Sequence, residues 1–141
     1  MRPLFCVAGV AAVLVLAGLA SGPAGATNDD ETPSIKKIMG KIHKGKTSAL
    51  SVLKTALKSD SPNWEKVQKE AKIYAEYSAA MPKNDPPAGD KADYDKLAKA
   101  LASAGKDLES AAEKEELKAS RAALKKIGAS CKPCHESHKS Q

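Results

Sequence analysis

Five consecutive residues near the C-terminus carry the chemistry of this chain: Cys131-Lys132-Pro133-Cys134-His135. Two thiols three positions apart share one helical turn and can add to the two vinyl groups of a single porphyrin. The adjacent imidazole then meets the iron from one side. The C-x-x-C-H spacing therefore predicts one covalently attached haem c, with Cys131 and Cys134 as attachment points and His135 as an axial iron ligand. Two other chemistries use the same residue types. A thioredoxin-like dithiol wants a βαβ setting, and no strand alternation is evident here. A zinc site that borrowed His138 would crowd its ligands into eight residues, without the second arm such sites use.

Haem is joined to thiols outside the cytoplasm, and the other end of the chain supplies the export route. Arg2 precedes an apolar run from Leu4 to Ala20, and the small residues Ser21 to Ala26 end in the pattern a signal peptidase reads. Residues 1–26 thus read as a secretory signal cut after Ala26, which leaves 27–141 as one mature domain. Cys6 lies inside the run and departs with it. The run falls just short of the ~20 residues a membrane span needs. No second apolar stretch approaches that length, so no stable span is expected after cleavage. The expected compartment is the periplasm or an equivalent exported space.

The elements that must position the motif are helices. The 141 residues fit one domain and leave no room for a Rossmann or barrel enzyme. Ala, Lys, Leu and Glu dominate the mature part, and all four favour helix. Thr32-Pro33 is a start signal, after which Ile35, Ile38, Met39, Ile42, Leu50, Leu53 and Leu57 recur at helical spacing to about Lys58. Gly40 and Gly45 make a bend or break within it. Ser61-Pro62 opens a second helix with Trp64, Val67, Ala71, Tyr74, Ser78 and Met81 inside. The proline-rich stretch from Met81 to Asp90 must be a loop. A third helix carries Tyr94, Leu97, Leu101, Ala104, Leu108 and Ala111. The fourth carries Leu117, Leu124, Ile127, Cys131 and His135, and its junction with the third, near Ala112–Glu116, lacks Gly or Pro. The fold class expected is all-α: an antiparallel up-down-up-down four-helix bundle with the haem near the C-terminal helix. A long helical hairpin is the competing layout, and the proline-rich corner argues for the compact form.

Only six residues follow His135, so a second axial ligand must come from upstream. In such a bundle the start of helix 1 faces the end of helix 4. Met39 lies about five residues, or ~8 Å, into helix 1, which matches the level of His135. His43, at i+4 on the same face, is the rival donor, and its plainer reading is a surface residue between Lys41 and Lys44. Met39 itself could be ordinary core.

With Cys131, Cys134 and His135 on a fourth helix, and Met39 within the first-helix segment Ile35-Lys36-Lys37-Ile38-Met39, the mature chain resembles the cytochrome c prime family, the class II c-type cytochromes. That resemblance implies a bundle whose C-x-x-C-H lies on helix 4. In its low-spin branch, a Met early in helix 1 is the sixth ligand, and Met39 matches that position. It also leaves homodimer formation through helices 1 and 2 open.

With both axial positions filled, the iron has no place for a substrate. The expected function is then one-electron transfer by an exported monohaem cytochrome that is not an enzyme. The net charge of +6 includes Lys36, Lys37, Lys41, Lys44 and Lys46, which would steer the protein toward an acidic redox partner. Nucleic-acid binding is a poor rival, because the basic residues are interleaved with Glu and Asp and no recognition motif is present. Two alternatives stay open: a five-coordinate haem that binds NO or CO, and a haem-free exported helical bundle that binds a partner. Composition bears on the last. Beyond residue 26 the aromatics reduce to Trp64, Tyr74, Tyr77 and Tyr94. A core so poor in bulk is expected to fold poorly until a porphyrin fills it.

Overall fold

The structure is a computed structural model that describes residues 32–139. The signal segment and its cleavage point lie outside the described residues. Five α-helices and one short 3-10 turn follow in order: α1 (Ile35–Ile42), α2 (Ala49–Ala56), α3 (Trp64–Ala79), the turn Met81–Lys83, α4 (Lys91–Glu113) and α5 (Leu117–His138). They form a four-helix bundle whose first rod is α1 and α2 together. None of the helices is long and apolar enough to cross a membrane among the described residues.

The expected first helix is broken, and Gly45 rather than Gly40 marks the break. Gly40 stays inside α1, whereas Gly45 takes φ +90 in the connection between α1 and α2. Ser48 then restarts the helix: its Oγ accepts from Ser51 N at 3.4 Å and donates to Gly45 O at 2.9 Å. The actual caps fall slightly later than the start signals suggest. Ser34 caps α1 through Lys37 N, and Asn63 caps α3 through Lys66 N. In both cases the proline precedes the cap.

The junction without Gly or Pro closes α4 through Glu115, which sits at φ +57. Glu116 N bonds Ala111 O at 2.9 Å and Glu115 N bonds Ala112 O at 3.0 Å. That pair is a Schellman closure, with a glutamate where glycine is usual. It lets α5 fold straight back along α4.

The core runs through the bundle from Ile38, Ile42, Leu53 and Val67 to Tyr74, Leu108 and Ile127, all fully buried. On α5 the buried residues are Ser120, Ala123, Ile127 and His138, so of the expected stripe only Ile127 is fully buried. Leu117, Leu124, Cys131 and Cys134 are only half-buried and His135 is exposed. Small residues on both sides, including Ala104, Ala111 and Ala112 of α4, bring α4 and α5 into close packing. Leu117 and Leu124 pack half-buried against the core, while the motif of α5 turns elsewhere.

Candidate functional site

The motif residues border a space shared with α1. A cleft of about 850 Å³ lies between the start of α1, the loop after the 3-10 turn and the end of α5. Ile35, Met39 and His43 contribute from the first rod, and Cys134 and His135 from α5. Met81 and Tyr94 close its floor, with Tyr94 donating to Met81 O at 3.0 Å. A smaller apolar pocket continues inward and brings Cys131 against the same Met39, His43 and His135. Both thiols, the motif histidine and both upstream donors therefore border one connected space.

The two cysteines are free thiols, one helical turn apart. Cys131 Sγ donates to Ile127 O at 3.5 Å. Burial, with the neighbouring Cys131 and Asp93 charges behind it, pushes the Cys134 thiol up. A redox-active dithiol needs the opposite, a thiolate held down by positive charge. His138 is not free to join them on a zinc ion, because it is buried in hydrogen bonds to Ala88 and Asp93.

His43 is half-buried rather than a surface residue, and its Nε2 lies 3.1 Å from the Tyr74 hydroxyl. The two rings meet edge to face, 5.6 Å apart. Burial, then the positive charges of His135 and Lys54, lower His43 to about 4, so it is neutral at physiological pH. Tyr74 is pushed up, first by burial and then by Cys131, so its hydroxyl keeps the proton and the pair is a hydrogen bond between two neutral groups. Tyr74 reads from sequence only as a core residue; its reach to His43 follows from the packing of α1 on α3.

A family model described as Cytochrome C' matches residues 36–139. The chain belongs to the cytochrome c′ family. A crystal structure of cytochrome c′ from Thermochromatium tepidum is similar with a TM-score of 0.54 and 25% identity, over 66% of this chain and 84% of that one. No curated protein matches the chain. As a cytochrome c′, the protein is a monohaem c-type cytochrome with one covalently attached haem c.

The residues present fit that group. The cleft volume falls within the roughly 300–1,000 Å³ of small-molecule and cofactor sites. Its donor set is a pair of free thiols, an exposed imidazole and a soft thioether, the set haem c chemistry uses. Arg121 does not border the cleft. It lies roughly 20 Å along α5 from His135. There its guanidinium donates to Leu57 O, Lys58 O and Ser59 O and pairs with Asp60. His138, at the end of α5, is buried, 3% exposed.

Proposed function

We propose that this cytochrome c′ is an exported one-electron carrier, with its haem attached at Cys131 and Cys134, His135 as one axial ligand and Met39 as the sixth. The observation that carries the reading is that Met39 of α1 and His135 of α5 border the same cleft. Haem supplies a one-electron couple, and a histidine–methionine ligand pair raises its potential toward electron transfer. The chain's own residues do the rest. Ile38 and Ile42, both fully buried beside Met39, anchor the face of α1 that carries it. His43 is the weaker candidate because its Nε2 already has a hydrogen-bond partner in the Tyr74 hydroxyl, 3.1 Å away.

Lys36, Lys44 and Lys139 border the cleft, so the approach to the haem is positive and suits an acidic redox partner. Residues 1–26 act as the signal that takes the chain to the periplasm.

The visible spectrum of the haem-loaded protein tests this. A low-spin spectrum that CO leaves unchanged is expected in the wild type. Met39→Ala should turn it high-spin and CO-sensitive, while His43→Ala leaves it low-spin. Loss of the low-spin form in His43→Ala alone would overturn the Met39 assignment. A wild type already high-spin and CO-binding would make the protein a five-coordinate gas binder. A purified protein without haem absorbance would leave only a helical binding module.

A further inference from the structure

His138, one turn beyond His135, ends α5 in a setting unlike that of any other titratable group in the structure's described residues. Its ring is buried, and both of its nitrogens face acceptors: Nδ1 lies 2.9 Å from Ala88 O and Nε2 lies 3.0 Å from Asp93 Oδ2. A carbonyl cannot donate, and neither can an ionised carboxylate, so both ring nitrogens must. A ring that donates from both is an imidazolium. Its edge meets the Tyr94 ring at 5.6 Å. The loop is pressed onto it at Gly89, where φ is +79 and a Cβ would come within 2.6 Å of His138 Nδ1 and 2.5 Å of Ser137 O. Loop, α4 and α5 therefore converge on this one side chain.

We infer that His138 is a positioning residue: as a doubly donating cation it fastens the end of α5 that carries Cys134 and His135 to the loop before α4 and to α4's first turn, and so fixes one wall of the haem cleft. The inference rests on the haem reading above and adds to it what holds the haem-bearing helix in register. Asp93 and Asp90 face the ring from α4, and the ordinary end-of-helix dipole of α5 adds to their pull on a cation. Around the same cleft stand Asp85, Lys36, Lys139 and His135. The hydrogen bond to Ala88 leads, and with Asp93 it outweighs the cost of burial and holds His138 above its usual 6.5. The clamp is therefore complete below the ordinary histidine value and is released as pH rises through the raised one.

The test uses the haem-loaded protein, reduced for the NMR and exchange measurements, with His138→Phe and Asp93→Asn as variants. His138→Phe keeps a ring against Tyr94 but removes both donors; Asp93 is half-exposed, so its change leaves the core alone. Nitrogen-15 NMR of the wild type should show both His138 ring nitrogens protonated at neutral pH, and Asp93→Asn should return its titration toward 6.5. The reduction potential should shift with pH across the His138 titration in the wild type and lose that shift in His138→Phe. Backbone amide exchange over residues 134–138 should quicken about tenfold in His138→Phe. A neutral His138 at neutral pH, or a potential whose pH profile is the same in wild type and His138→Phe, would overturn the inference. Those outcomes leave the haem in place, whereas failure of the haem reading leaves no thioether-bound haem to measure.

Discussion

The two ends of α5 share a helix and differ in what they are for. At its start, α5 meets only protein: Ser120 and Ala123 pack against the small residues of α4, and Arg121 caps the exposed carbonyls at the end of α2. At its finish, the same helix turns two thiols and an imidazole toward a cleft that α1 closes from the far side. The first end is held by contacts within the chain, although the buried Ser120 hydroxyl there finds no hydrogen-bond partner. At the second, the side chains are half-buried or exposed, and their chemistry points to a group the chain must bind. Changes at the two ends should therefore be read by different instruments, stability at the first and spectrum at the second.

The largest expected effect strikes both readouts at once. Cys131→Ser with Cys134→Ser removes the thiols that would hold haem c, so covalently bound haem should be lost from the purified protein. The covalent porphyrin stays on the unfolded chain, but its burial between the helices exists only in the folded state, so losing it should cost about 3 kcal/mol or more. For a domain of this size that is a fall in Tm of roughly 10 °C. Haem still covalently bound to the double variant would overturn the attachment assignment. An unchanged Tm would show instead that the small-residue core folds without help.

What the sequence made readable follows the same division. The motif is legible because attachment to one porphyrin forces two thiols and a histidine into a single helical turn, a local constraint. The facing position of Met39 follows from bundle topology, which amphipathic spacing predicts. Arg121 and His138 are not legible, since their partners lie 64 and 45 residues away and only packing selects them. A histidine between serines and a lysine reads as solvated until Asp93, at the third position of α4, is seen beside it. The break of the first rod was signalled by Gly45, whose positive φ costs glycine little. The end of α4 carried no such signal, because glutamate rarely supplies that conformation.

Arg121 gives the sharper test of the comparison. Its side chain is 41% exposed and its partner Asp60 is 92% exposed, so that ion pair adds little. The bonds to three backbone carbonyls matter more, since they satisfy the cap carbonyl of α2 at Leu57 and the next two in the turn after it. Arg121→Ala should cost about 1–2 kcal/mol in denaturant unfolding. The haem spectrum and reduction potential should stay as in the wild type. A changed spectrum would mean that the two ends of α5 are coupled, and the division drawn between them would fail.

The smallest effect belongs to the hinge from which α5 sets out. Glu115 closes α4 at φ +57, where its Cβ crowds the following carbonyl. That conformation costs a non-glycine residue about 1 kcal/mol or somewhat more. Glu115→Gly relieves it but leaves the unfolded chain more freedom to lose, so part of the gain is returned. The Schellman bonds from Glu115 N and Glu116 N use backbone alone and should survive. The net expectation is a gain of about 0.5 kcal/mol in chemical unfolding, with no change in the haem spectrum. Because the substitution lies at the far end of α5 from the cleft, a gain in stability without spectral change separates the turn from the chemistry. A loss of stability would mean that the glutamate side chain holds the turn in a way its backbone does not.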